Sequence, residues 1–554
     1  MSREAVSAGV FLSLVLVSSV AAAQPRDNTV KPGTAVLRGR VVASDSGRPI
    51  RRARVQLTVE GPGGGSRPPE NRGSMTDRDG NYEFKALTAG RYIVTVSKGS
   101  YVTLSYGQRR PNEPGKPIEV LDGQHVEKVD FALPRGAILT GRILDEFGEP
   151  AEFISVSLVP AGEVQRKRVV NNGRFGSTND LGEFRIVGVP PGQYYLSAMG
   201  YRPDDVDSDD RTSYAATFYP GTANISEARR LTLSVGQTLN DLSMTLVTTH
   251  TARVTGVVTD SQGRPMSLGF VMATSRNSPG LSAPASGVVK PDGSFVLTGL
   301  APGEYLLMAF TAIAGVDEGA ATATLTIAGQ DVNGVQLQAA KPSTLSGRIV
   351  TGDIAGVQML QFSQVLMHAT PKEPMLAIGD QTPPARPSDD GTFAIKSRPG
   401  GTRITAASLA GNWTLKAVRL DGVDVTDAGV EVRANEDISG LEVELTNRTS
   451  MLSGVVTNAR GQPVTDYSAI IFSQDRGRWG EDSRYFSTGR PDQDGRYKVS
   501  GLPAGEYFAI AVDSVDPAEA ASPEFLERAS ARAVRFTLGD GETRSVDLKL
   551  TIDF

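Results

Sequence analysis

The sequence predicts an all-β chain: a tandem array of about five antiparallel β-sandwich domains after an N-terminal signal peptide. Three observations predict it. One strand signature recurs five times at spacings of roughly 90 to 115 residues. Its strands alternate apolar and polar residues with a period of two. Turn residues punctuate the chain where long helical stretches would otherwise run. A length of 554 residues suits four or five units of ordinary domain size.

The first element of the signature reads LRGRVVASDSGRP from Leu37, LTGRILDEFGEP from Leu139, VTGVVTDSQGRP from Val254, LSGRIVTGD from Leu345 and LSGVVTNARGQP from Leu452. Leu37, Gly39 and Val41 alternate with Arg38 and Arg40, so one face of the strand is apolar and the other polar. Four copies continue into Gly-x-Pro at Gly47, Gly148, Gly263 and Gly461, where Gly supplies positive φ and Pro cannot extend a central strand.

The second element is the more specific. An aromatic (Tyr82, Phe184, Phe295, Phe393, Tyr497) follows a short turn and stands eight residues before a Gly (Gly90, Gly192, Gly303, Gly401, Gly505). This reads as turn, strand, turn, strand, with the aromatic in the core. A Tyr two residues past that Gly (Tyr92, Tyr194, Tyr305, Tyr507) is read as Arg403 in the fourth copy, the most divergent. The third element closes each unit with an alternating strand at Val129, Leu242, Val335, Leu441 and Val546.

These marks divide the chain into 1–23 signal peptide, 24–34 linker, and sandwiches at 35–135, 136–249, 250–341, 342–447 (divergent) and 448–554. The short joints between them predict a semi-rigid rod. Two insertions interrupt the pattern. In the fifth unit Ser522 as N-cap, Pro523 at the first helical position and Glu524 in the first turn predict one short helix or two. In the second, an acidic loop from Asp204 ends in a helical turn near Arg229. The segment at 61–73 reads as a flexible loop.

The signal peptide is read from Arg3, an apolar run from Val10 to Val20, and Ala21 and Ala23 before Gln24. The run is too short for a membrane anchor, and no later segment reaches spanning length. Export follows, to the periplasm, the cell surface or the medium. With no cysteine, a disulfide framework, a thiolate metal site and a lipidated Cys are excluded. A net charge of −5 without a basic run gives no reason to invoke nucleic acid.

The two-part signature, Gly-Arg-Val then Gly-x-Pro, followed by Asp-Gly-x-Phe/Tyr and Leu-x-Pro-x-Gly-x-Tyr, resembles the carboxypeptidase regulatory-like domain family. Such domains are similar to transthyretin-type prealbumin sandwiches and the B-type repeats of collagen adhesins, and are grouped with a carbohydrate-binding-like fold. Copies at Gly188, Gly299 and Gly501 carry the full motif, and the copy at Lys396 departs from it. YGQRRPNEPG at Tyr106, FYPGT at Phe218 and SPEFLERA at Ser522 are similar to multi-domain exported bacterial proteins of this family. The resemblance implies fold and export, and little about activity.

A peptidase reading fails on the residues. The only histidines, His125, His250 and His368, fall in three different units without metal-ligand spacing. No GxSxG elbow, Walker loop or Cys nucleophile occurs. The chain therefore reads as no enzyme, with no cofactor and no metal. The acidic turns at Asp77, Asp389 and Asp492 lack the spaced ligand ladder of a calcium loop and read as Asx-capped hairpins. Tyr106, Tyr219, Trp413 and Trp479 are weak candidates to stack on sugar faces. Packing is the favoured reading for both tryptophans. The alternating C-terminal DLKLTIDF serves as the last sandwich strand, not the end of a membrane barrel.

Function is therefore expected to be that of a non-catalytic scaffold, adhesion or binding protein. The alternative is a carbohydrate-binding accessory protein acting through loop aromatics. The partner classes left open are a polysaccharide or an envelope protein.

Overall fold

The computed structural model of the protein describes residues 33–60, 72–110, 113–162, 174–200, 212–266, 269–276, 285–311, 320–352, 360–373, 376, 382–407, 409, 413–480 and 483–552. The signal-peptide segment, the acidic stretch at 201–211 and most of the 61–73 loop lie outside them.

The strands bury five main apolar cores in chain order, at residues 35–133, 137–246, 252–339, 345–445 and 452–548. Each core sits between two groups of strands. In the second unit, Glu183–Val189, Ala137–Leu144 and Thr238–Thr245 form one sheet. Arg174–Ser177, Ser155–Pro160, Gly192–Met199 and Thr217–Phe218 form the other, with Leu231–Leu233 at its side. The protein is an all-β chain of tandem sandwiches.

The signature owes its recurrence to one packing motif. In all five units the strand glycine stands directly opposite the aromatic of the second element: Gly39 with Tyr82, Gly141 with Phe184, Gly256 with Phe295, Gly347 with Phe393 and Gly454 with Tyr497. A Cβ on any of these glycines would lie 1.9–2.2 Å from a backbone oxygen in or just before the closing strand, that of Val129, Leu242, Val335, Leu441 or Val546. The absence of a side chain lets two backbones meet, and the aromatic ring covers the gap. Tyr82 and Tyr497 go further, each donating its hydroxyl to that same carbonyl at 2.6 Å.

First and closing strands pair parallel in every unit, while the hairpin pairings are antiparallel. The remainder of each unit serves as the long crossover a parallel pair requires. The repeated Tyr pins the turn before its strand: Tyr92, Tyr194, Tyr305 and Tyr507 donate to the carbonyls of Thr88, Pro190, Ala301 and Pro503 at 2.7–3.0 Å.

The fourth unit corrects the sequence register. Gly400, with φ of 120°, begins the strand Gly400–Ala407 and pairs with Val432, as Gly192 pairs with Leu233. The core-facing residue two positions on is therefore Thr402, not Arg403. Its hydroxyl meets Ser397 Oγ at 3.1 Å in place of the tyrosine's turn bond.

The fifth unit carries its predicted helix at Pro523–Ser530, with Ser522 accepting from the Phe525 amide, and a second short helix at Pro517–Ala520. Phe525, Leu526 and Ala529 cover the outer face of the strands Ser468–Ser473 and Gly505–Val512. Those strands are buried on both faces and so read as continuous apolar runs.

Candidate functional site

The aromatics singled out as sugar platforms are not exposed. Trp413 is 6% exposed and belongs to the fourth core. Tyr106 packs on the first core, edge-on to Phe131 at 6.1 Å between ring centroids. Tyr219 packs on the second core. Trp479 is half-buried, its Nε1 donating to the Ser473 carbonyl at 2.8 Å and its ring edge-on to Phe472. For both tryptophans this is the packing favoured from the sequence, and the two tyrosines also rest against their cores.

The acidic turns spend their carboxylates on their own loops. Asp77 Oδ1 accepts from the amides of Asp79 and Asn81 at 2.9 and 2.8 Å, and Asp492 Oδ1 from those of Asp494 and Arg496 at 3.0 Å. These are Asx turns. The Asn81 amide above all, helped by the Asn81 side chain and the Asp79 amide, holds the Asp77 carboxyl below its usual range against an opposing desolvation. His125 and His250 are exposed in strands and His368 is half-buried, in three separate units. Among the described residues no three metal-ligating side chains converge.

What the structure does bring together is the two ends of the chain, and this overturns the rod. Arg109, Arg110, Glu113 and Lys116 of the first unit reach the fifth. Arg490, 377 positions from Glu113, donates to its Oε1 at 2.8 Å and to Asp466 Oδ1 at 2.8 Å. The Arg490 and Glu113 side chains are 3% and 4% exposed. A third contact runs from Arg490 Nη1 to the Tyr467 carbonyl at 3.0 Å.

Around this centre lie more exposed contacts. Arg109 and Lys116 meet Asp466 at 2.7 and 3.2 Å, and Arg110 meets Asp513 at 2.7 Å. Lys498 pairs with Glu119, whose backbone amide and carbonyl are both held by the Gln493 side chain. The joint of the fourth and fifth units uses the same chemistry: Arg484 bridges Asp427 and Asp424 at 2.8 and 2.9 Å, and Lys416 reaches Asp540 at 3.0 Å. Sequence analysis missed both joints, since nothing in a single chain distinguishes Glu113 from any loop carboxylate.

The fold defines a protein of tandem β-sandwiches, the fifth of which is tied by ion pairs to the first and to the fourth. Residues 36–134, the first unit, match the model of the carboxypeptidase regulatory-like domain. No curated protein matches the chain. Similar solved structures include the Bacillus anthracis TIE protein, at 10% identity over 74% of this chain and 73% of that one, with a TM-score of 0.15. A streptococcal ancillary pilin matches at 14% identity over 55% and 98%, TM-score 0.19. BcpA, the major pilin subunit of Bacillus cereus, matches at 12% identity over 55% and 99%, TM-score 0.14. Scores this low carry no argument about what the chain does.

Proposed function

We propose that the protein is a non-catalytic exported scaffold or adhesion protein in which sandwich domains are locked into one platform that presents their loops. The observation that carries this reading is the ion-paired joint between the first and fifth units. A buried charge pair is retained at a desolvation cost of several kcal/mol per ion, and its best-attested use is to fix one arrangement among many. A fixed arrangement serves a binding platform, whereas independent modules on tethers would need no such contact. No helix of the described residues is long and apolar enough to cross a membrane. Export rests on the signal-like N-terminus.

The test pairs a broad peptidase and glycosidase screen with a neutral glycan array on the purified full chain. The scaffold reading expects no turnover. Turnover abolished by replacing a named side chain overturns it. Neutral-glycan binding lost in Trp479→Ala would replace it with the carbohydrate-accessory reading, since Trp479 is a half-buried aromatic beside a loop.

A further inference from the structure

The joint of the first and second units carries a groove of about 430 Å³. Arg52, Arg54 and Lys98 line it from the first unit and Arg174 from the second, with Tyr101 in its wall. Among the described residues no carboxylate lines it. Among the described residues, none of these four cations pairs with an acidic side chain.

The other described clefts hold carboxylates beside their cations. In the basin on the first unit Arg38 is paired with Glu83 and Glu127. In the cleft between the fourth and fifth units Lys416 and Arg419 meet Glu444, and Arg484 meets Asp424. On a chain of net charge −5, four unpaired cations around one groove repel one another unless an anion joins them.

The groove is built, not incidental. Behind it the two units are in backbone contact: the Gly136 amide donates to the Ser100 carbonyl at 3.1 Å. Gly188, with φ of 73°, presses so closely that a Cβ there would lie 2.6 Å from the Gly99 carbonyl oxygen, and Gly99 itself lines the groove. Arg174 is thereby held on its strand across from the other three cations. Lys98 Nζ donates to the Arg52 carbonyl at 3.1 Å, which fixes it at the rim. The Arg135 guanidinium, 5.3 Å from the Tyr101 ring centroid, steadies that ring in the wall.

We propose that this groove binds an acidic polysaccharide, one whose carboxylate, sulfate or phosphate groups meet the four cations while a sugar ring lies along Tyr101. Guanidinium groups form charge-assisted hydrogen bonds with such anions, and an aromatic ring offers the apolar face that a pyranose needs beside its polar rim. A nucleic acid fits less well, because its continuous phosphate track calls for an extended basic stripe, which the chain lacks. The inference goes beyond the scaffold reading, which assigns no ligand, and stands or falls apart from it.

The test is a titration of the full chain with polygalacturonate, dextran sulfate, uncharged dextran and a single-stranded DNA oligonucleotide. Both acidic polysaccharides are expected to bind, uncharged dextran not at all, and DNA more weakly than either. Raising ionic strength from about 0.05 to about 0.3 M should weaken binding on the order of tenfold as screening shortens. The triple variant R52Q/R54Q/R174Q should lose about tenfold or more in affinity with its melting temperature unchanged, since three charge-assisted contacts are removed together. Arg433→Gln, a cation on the fourth unit, should change nothing. Absence of binding, equal affinity in the triple variant, equal loss in Arg433→Gln, or tighter binding of DNA would each overturn the proposal.

Discussion

At the scale of single residues, the strand glycines are held by sterics, and Gly454 shows it most plainly. A methyl group there would stand 2.1 Å from the Val546 carbonyl oxygen and 2.9 Å from the Tyr497 ring. Neither neighbour can yield, since one is backbone and the other fills the core. Gly454→Ala is therefore expected to destabilise the fifth unit by about 3 kcal/mol or more, read from its chemical unfolding midpoint. Gly461→Ala meets no atom within 4 Å, and its φ of 77° leaves only a local backbone cost of about 1 kcal/mol. A sequence shows both as glycines in a repeat, so the difference between contact and conformation had to come from the structure.

The Asx turn at Asp77 makes a pH prediction of definite sign. Its carboxyl is lowered by the Asn81 amide first, so the folded state prefers the ionised form. A group depressed on folding contributes stability above its unfolded pKa and loses it as pH falls through the folded value. The turn's contribution should thus be complete near neutrality and fade below about pH 4. The melting-temperature gap between the natural chain and Asp77→Ala is expected to shrink on titration from about pH 6 to about pH 3. A gap that widens on acidification contradicts the assignment.

At the scale of elements, strand periodicity was legible because a two-residue period is a local property of the chain. Leu37, Val41, Leu139, Ile143 and Leu452 all face cores as that period requires. The helix at Pro523 was equally legible, since a Ser cap followed by Pro needs no tertiary context. The parallel pairing of first and closing strands was not, because it joins segments about 90 residues apart whose residues look alike whichever way they run. The one-residue slip in the fourth unit has a similar cause. Two adjacent glycines, Gly400 and Gly401, offer the same local signal, and only the pairing of Gly400 with Val432 decides between them.

Each unit encloses its own core, and the fifth also covers its outer sheet face with helix, so residues 448–554 are expected to fold alone. Far-ultraviolet circular dichroism of that fragment should show a β-rich spectrum and a cooperative melt. A molten or predominantly helical product would refute the division into self-sufficient sandwiches.

At the scale of the molecule, the contact between chain ends rests on few residues, and their burial decides which of them matter. Arg110 and Asp513 are more than half exposed, so their pair contributes at most about 1 kcal/mol and weakens with salt. Arg490 and Glu113 are in the interior of the joint, where loss of one partner leaves the other charge desolvated at a cost of about 3 kcal/mol. Asp466 still faces Arg490 in a Glu113 variant, which keeps the effect from the top of that range. Glu113→Ala is therefore expected to open the joint without unfolding any sandwich. Small-angle scattering should record a larger radius of gyration, while the β-rich circular dichroism spectrum stays constant. The paired variant E113L/R490M replaces the two charges with apolar groups of similar bulk, an exchange that buried ion pairs tolerate, and should return the compact scattering profile. If Glu113→Ala scatters like the natural chain at both low and high salt, the buried pair does not hold the ends together. The platform would then have to be sought in the glycine-packed joint at Gly188 and the Arg484 bridge, which restrain neighbouring units but leave the two ends free.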